Sequence, residues 1–100
     1  MIIKEKSSLP AESSFIKVVV DIEKKILSMG CELHIDCADE LQNDGSSFVN
    51  LWGANIYSQE KRIDYVSMIN IRPKVGNRSM EIQDSTIKEK VGEIIKNLLF

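Results

Sequence analysis

The two runs Leu51–Tyr57 (LWGANIY) and Tyr65–Arg72 (YVSMINIR), joined by the polar link Ser58–Ile63, constrain this chain more than any other feature. Successive side chains of a strand point to opposite faces, so Trp52, Ala54 and Ile56 share one side while Leu51, Gly53, Asn55 and Tyr57 share the other. A hairpin with Trp52 opposite Ile69 and Ile56 opposite Tyr65 gathers the bulky apolar residues on one face. A slip of one residue would scatter them. That register also brings Asn55, Asn70 and Arg72 together on the opposite, polar face. The link is longer than a tight two-residue turn and is expected to be exposed.

Upstream, residues 15–29 admit two readings. Phe15, Val18, Val19, Ile22, Ile26 and Met29 have the spacing of a helical stripe, closed by Gly30. The β-branched run Val18-Val19-Val20 also fits a hairpin turning at Lys24-Lys25. The helix accounts for more positions, and Lys-Lys is poor turn chemistry, so the helix is the expectation and the hairpin stays open beside it. It begins after Pro10, a residue suited to a first helical turn. Cys31, Leu33, Ile35 and Cys37 alternate with Glu32, His34 and Asp36, the pattern of a half-buried strand. Ala38–Gln42 fits one helical turn, and Asn43–Ser47 is concentrated turn chemistry. At the start, Ile2-Ile3 followed by Lys4-Glu5-Lys6 fits an edge strand. At the end, Asp84 or Ser85 caps a helix with Ile87, Val91, Ile94, Ile95 and Leu98 on one stripe. Gly92 in that helix fits either close packing on the sheet or a merely tolerated glycine.

These pieces predict one domain over residues 1–100. It is α+β and two-layered, with an antiparallel sheet of three to four strands and two helices packed on one face. Two cysteines six residues apart on a strand would lie roughly 20 Å apart at about 3.3 Å per residue, so both are expected as reduced core thiols. With 13 basic against 15 acidic residues the net charge is -2, which argues against general attraction to nucleic acid or an anionic membrane. No apolar run approaches the roughly 20 residues that span a bilayer. The first residues, MIIKEKSS, lack the core of a secretory signal, so a cytoplasmic location is expected.

The polar face is where chemistry would sit. By strand parity it collects Glu32, His34 and Asp36 with Asn55, Asn70 and Arg72, a set of acid, base, amide and guanidinium groups. Glu32, His34 and Asp36 are candidate acid–base residues. Their separation along a strand, with no second histidine, is a poor fit to a metal site, and none is expected. Arg72, Lys74 and Arg78 surround Gly76-Asn77, whose backbone could cradle an anion. The loop matches neither phosphate-binding glycine signature, and no cofactor is implied.

The segments VVVDIEKKILSMGCELH, HIDCADELQNDGSS, NLWGANIY and SMINIRPKVGNRSMEI together resemble a small family of uncharacterised prokaryotic proteins of about this length, catalogued as a domain of unknown function. The resemblance implies no activity. It implies that Glu32, His34, Asp36, Trp52, Gly53, Asn55, Asn70, Arg72, Pro73, Asn77 and Arg78 belong to the family's characteristic motifs. Cys31 departs from it, standing where a small residue is expected. The leading functional expectation is a self-associating binding or interaction module. Asn55, Asn70, Arg72, Asn77 and Arg78 would contact a polar or anionic small molecule or protein. The alternative is a small hydrolase or nuclease-like enzyme using His34 with Glu32 or Asp36 as acid and base.

Overall fold

A computed structural model describes residues 1–10 and 13–100. Its strands are β1 (Ile2–Ile3), β2 (Phe15–Asp21), β3 (Ile26–Met29), β4 (Leu51–Tyr57) and β5 (Arg62–Asp64), and its helices are α1 (His34–Asn43) and α2 (Ser85–Leu99). The strands form one sheet in the order β1-β3-β2-β4-β5, every neighbouring pair antiparallel. The expected α+β class is therefore observed, with five strands and two helices packed against the sheet. The helices do not share one face, contrary to expectation, but divide between the two, so the sheet has no fully open polar face. α2 covers Val18, Val20, Leu27, Met29, Trp52, Ala54 and Ile56 with Val91, Ile94, Ile95 and Leu98. On the other side α1 covers Val19, Ile26 and Leu51 with Cys37, Ala38 and Leu41. No helix among the described residues is long and apolar enough to cross a membrane.

This two-sided burial explains why residues 15–29 are a hairpin and not the expected helix. A strand covered on both faces needs apolar residues at consecutive positions, so Val18, Val19 and Val20 are all fully buried and the alternation that would betray a strand is erased. The turn spans residues 22–25 and so includes both lysines, as the hairpin reading had it, and it is held in place by Asp21. Its Oδ1 accepts from the backbone of Glu23 and Lys24 at 2.9 Å each, and Lys25 N–H donates to the Asp21 carbonyl at 2.9 Å. Lys25 takes the left-handed position at φ 58°. Oδ2 accepts from Ser46 at 2.6 Å, tying the hairpin to the loop after α1. The helical turn expected just after Pro10 reaches into residues 11 and 12, outside the described residues.

The expected strand Cys31–Cys37 is also overturned. Its second half is the first turn of α1, where Cys37, Ala38 and Leu41 are buried at helical spacing, and its apparent alternation comes from Leu33 and Ile35 facing solvent. Winding brings the cysteines to a Cα separation of 5.7 Å and they form a disulfide, contrary to the expected free thiols.

β4 has the faces read from its alternation, but its partners differ. Val20 lies opposite Trp52, and Ile63, not Tyr65, lies opposite Ile56. The expected strand Tyr65–Arg72 breaks up after β5 into a bridge from Val66 to Glu81 and single 3₁₀ turns at Met68–Asn70 and Pro73–Val75. α2 follows expectation. Asp84 caps it by accepting from Thr86 and Ile87 N–H at 2.8 and 3.1 Å, and a Cβ at Gly92 would collide with the Tyr65 hydroxyl.

Asp21→Ala should cost about 2 to 3 kcal/mol, because it strands two turn N–H groups and the Ser46 hydroxyl. Urea denaturation measures this. A loss below about 1 kcal/mol would mean the turn forms without its carboxylate.

Candidate functional site

A ten-residue helix is about 15 Å long, and α1 ends before the sheet face does. Beyond its N-terminus the face continues through Lys17 and Asn55, opposite each other in register, and through the next pair, Phe15 and Tyr57, whose rings meet edge to face at 5.2 Å. This uncovered half is roofed on one side by Leu33, His34 and Ile35 and on the other by Val66–Ile69 with Met80. They enclose an open cleft of about 360 Å³. The rim is apolar and exposed: Met68 is 74% accessible, Leu33 56% and Phe15 44%.

The polar groups of the cleft are Lys17, His34, Asn55 and Ser67. His34 Nε2 lies 2.8 Å from the Ala54 carbonyl, so that nitrogen carries the proton and Nδ1 is left as an acceptor. Burial holds the ring's pKa below its ordinary 6.5. The Ala54 carbonyl opposes this, the Lys17 charge adds to it, and the Asn55 amide opposes it in turn. Lys17 Nζ donates to the Glu32 carbonyl at 2.7 Å. Asn55 donates through Nδ2 to the Val66 carbonyl at 3.2 Å, while its Oδ1 is buried with no hydrogen-bond partner. Ser67 accepts from Ile69 N–H at 3.3 Å and opens the 3₁₀ turn. Gly53 is required beneath it, since a Cβ there would come within 2.5 Å of Ser67 Cβ and 3.2 Å of the His34 ring.

Of the residues expected at the site, His34 and Asn55 do line this cleft. Glu32 and Asp36 are exposed, one preceding α1 and one in its first turn, so helical winding replaces the parity that would have aligned them with His34. Among the described residues no three His, Cys, Asp or Glu side chains gather as a metal site.

Asn70, Asn77 and Arg72 are engaged elsewhere. Asn70, fully buried, accepts from Gly53 N–H at 2.8 Å and donates to the Gly53 and Met80 carbonyls at 3.0 Å each. Asn77 Nδ2 lies 2.8 to 3.0 Å from the carbonyls of Asn70, Ser79 and Glu81. The Arg72 guanidinium stacks over the Phe48 and Trp52 rings at 4.5 and 4.3 Å and donates to the carbonyls of Ile69, Phe48 and Leu51. Arg78 is exposed; its backbone N–H donates to Gln83 Oε1 at 2.8 Å. Phe15 and Lys17 were missed from sequence because they were assigned to a helix. Once residues 15–21 are read as a strand, parity with Val19 places both on the cleft face.

A family model described as a protein of unknown function, DUF5674, matches residues 3–98. The chain belongs to that family. This agrees with the family of unknown function that the motifs resemble. No curated protein and no solved structure was found to match. For this DUF5674 chain the candidate site therefore rests on geometry.

The His34 shift carries a pH dependence. The folded ring holds its proton less well than the unfolded one, so its contribution to stability is complete above the ordinary 6.5 and declines as pH falls toward the folded midpoint. NMR titration should find the ring's midpoint below 6.5, and His34→Gln should flatten the acid side of a stability profile taken from about pH 5 to 8.

Arg72→Ala should cost about 2 to 4 kcal/mol by orphaning several carbonyls, whereas Arg78→Ala should stay within about 0.5 kcal/mol. Asn70→Asp should be worse than Asn70→Ala, because a carboxylate would face the Gly53 and Met80 carbonyls. Calorimetric melting of the four variants checks the order.

Proposed function

We propose that this chain is a binding module whose site is the cleft over Lys17, His34 and Asn55. It accepts a small molecule, or a protruding group of a protein partner, with an apolar body and a polar or anionic head. The observation that carries this reading is the buried Asn55 Oδ1, which has no hydrogen-bond partner, in a cleft whose remaining lining combines Lys17, His34 and Ser67 with largely exposed apolar side chains. Buried polar groups of folded proteins are nearly always paired, and convergent polar groups in an apolar cleft are the usual form of a small-molecule site. Lys17 supplies the positive charge for an anionic head. Arg78, exposed just after Asn77, whose backbone pairs with that of Arg72, is the arginine of the expected set most open to an anionic partner. A cytoplasmic setting and self-association belong to the same proposal.

Binding is favoured over hydrolysis because His34 Nε2 is held by a backbone carbonyl. Among the described residues no hydroxyl, thiol or carboxylate hydrogen-bonds to the ring, as an acid–base or nucleophilic partner would. The test is a titration of ¹⁵N-labelled protein with 3-phenylpropanoate, branched aliphatic acids, and the neutral amide and amine of each. The acids should shift Lys17, Leu33, His34, Asn55 and Met68 most. Lys17→Ala should weaken the acids at least about fivefold, a loss of roughly 1 kcal/mol, and leave the amides unchanged. Absence of shifts at these residues for every class would remove the cleft as the site.

A further inference from the structure

We propose that Cys31 and Cys37 form a thiol–disulfide exchange site whose redox state sets the shape of the cleft, a regulation that rests on the binding reading above. The disulfide closes the short loop between residues 31 and 37, and this loop contains Leu33, His34 and Ile35, one whole wall of the cleft. The two sulfurs are unequally placed. Cys37 is fully buried among Val19, Ala38, Leu41 and Leu51, while Cys31 is only half-buried between the exposed Gly30 and Glu32. Attack by an external thiolate is therefore directed at Cys31, since access selects which sulfur reacts.

Among the described residues, the part of this wall that precedes α1 has few anchors besides the disulfide. Leu33, at the N-cap of α1, supplies no side-chain hydrogen bond to the helix start. The remaining tethers from the sheet are single polar contacts, Lys17 Nζ to the Glu32 carbonyl and His34 Nε2 to the Ala54 carbonyl. The chain enters the loop through Gly30, in the left-handed region at φ 84°, with nothing within 4 Å of a Cβ built there. Two thiols need more room than two bonded sulfurs. Cys37 is fixed in the core, so Cys31 must move outward about Gly30 and take Glu32 and Leu33 with it.

The exchange balances with a dithiol as reductant. One of its thiolates attacks Cys31 Sγ, the protein S–S bond breaks, and Cys37 leaves as a thiolate and takes up a proton. The second thiol of the reductant then attacks the mixed disulfide and releases Cys31, which is protonated. Two electrons pass to the protein and the dithiol becomes its own disulfide. In a reducing compartment such a disulfide is typically transient and sensing, not a permanent staple.

The experiment compares ¹H–¹⁵N spectra of the air-oxidised protein, the protein in dithiothreitol, and the double variant Cys31→Ser/Cys37→Ser. Reduction should shift Lys17, Leu33, His34, Ile35 and Asn55, leave Ile94 and Leu98 of α2 in place, and be reproduced by the double variant. The His34 titration midpoint should rise as its ring becomes better hydrated, and affinity for 3-phenylpropanoate should fall at least tenfold. Four outcomes overturn the proposal: two alkylatable thiols in the air-oxidised protein, shifts confined to residues 31 and 37, collapse of the whole spectrum on reduction, or equal affinity in the two redox states. A probe that binds neither form counts against the binding reading alone, and the switch is then decided by the spectra.

Discussion

The side-chain amide of Asn70 does the work of a missing strand. Residues 51–57 form the fourth strand of the sheet, and beyond the three-residue β5 this strand would expose its backbone along one edge. Asn70 presents a C=O and an N–H to Gly53 in the arrangement a paired peptide group would use, closing both bonds at once. Arg72 satisfies the Leu51 carbonyl in the same way, and Asn55 reaches out to Val66. The edge is thus completed by polar side chains from a folded loop, which removes a template for unwanted pairing without a further strand. The bare backbone of Gly53 lets Ser67 and the loop approach this closely.

That solution determines where the cleft can be. A sixth strand would have extended both faces and carried its own covering residues. A loop pinned by side chains instead stands beside the sheet as a wall. α1 begins at His34, inside the disulfide loop, and the strip of sheet between its start and the opposite wall is left to Lys17 and Asn55. The same disposition puts His34 at the mouth of the cleft with one nitrogen held by β4, the strand that Asn70 completes.

Legibility in the sequence followed the number of faces each element buries. α2 has one buried face and a cap, so Ile87, Val91, Ile94, Ile95 and Leu98 announced it together with Asp84. The two faces of β4 were readable because Asn55 and Gly53 break its apolar run on one side. β2 was not readable, because its second half is sandwiched between two helices and no period survives in VVVD. Asp21 was a usable clue, a turn-forming residue ending a β-branched run, but its role depends on Ser46, twenty-five residues away. Asn70, Asn77 and Arg72 were expected to contact a ligand from an open polar face. The reason for their presence is tertiary, however, and strand parity could not have shown that their polar groups turn inward to backbone carbonyls.

The segment from Val66 to Met80 also explains how a chain of this size can leave so many large apolar residues in water. Met68, Ile71, Val75 and Met80 are all exposed, and in an ordinary loop of this length they would be drawn into the core to compensate for ordering the backbone. Here the ordering is offset by hydrogen bonds from Asn70, Asn77 and Arg72 to backbone carbonyls, by the stacking of Arg72 over Phe48 and Trp52, and by the paired backbone bonds between Arg72 and Asn77 at 2.7 and 3.1 Å. Folding of the segment therefore does not depend on burying its apolar side chains. They are released from the core and held in place by a polar frame, with Met68 and Met80 on the cleft and Ile71 and Val75 away from it, and contiguous exposed apolar surface of this kind is the usual mark of an interaction site.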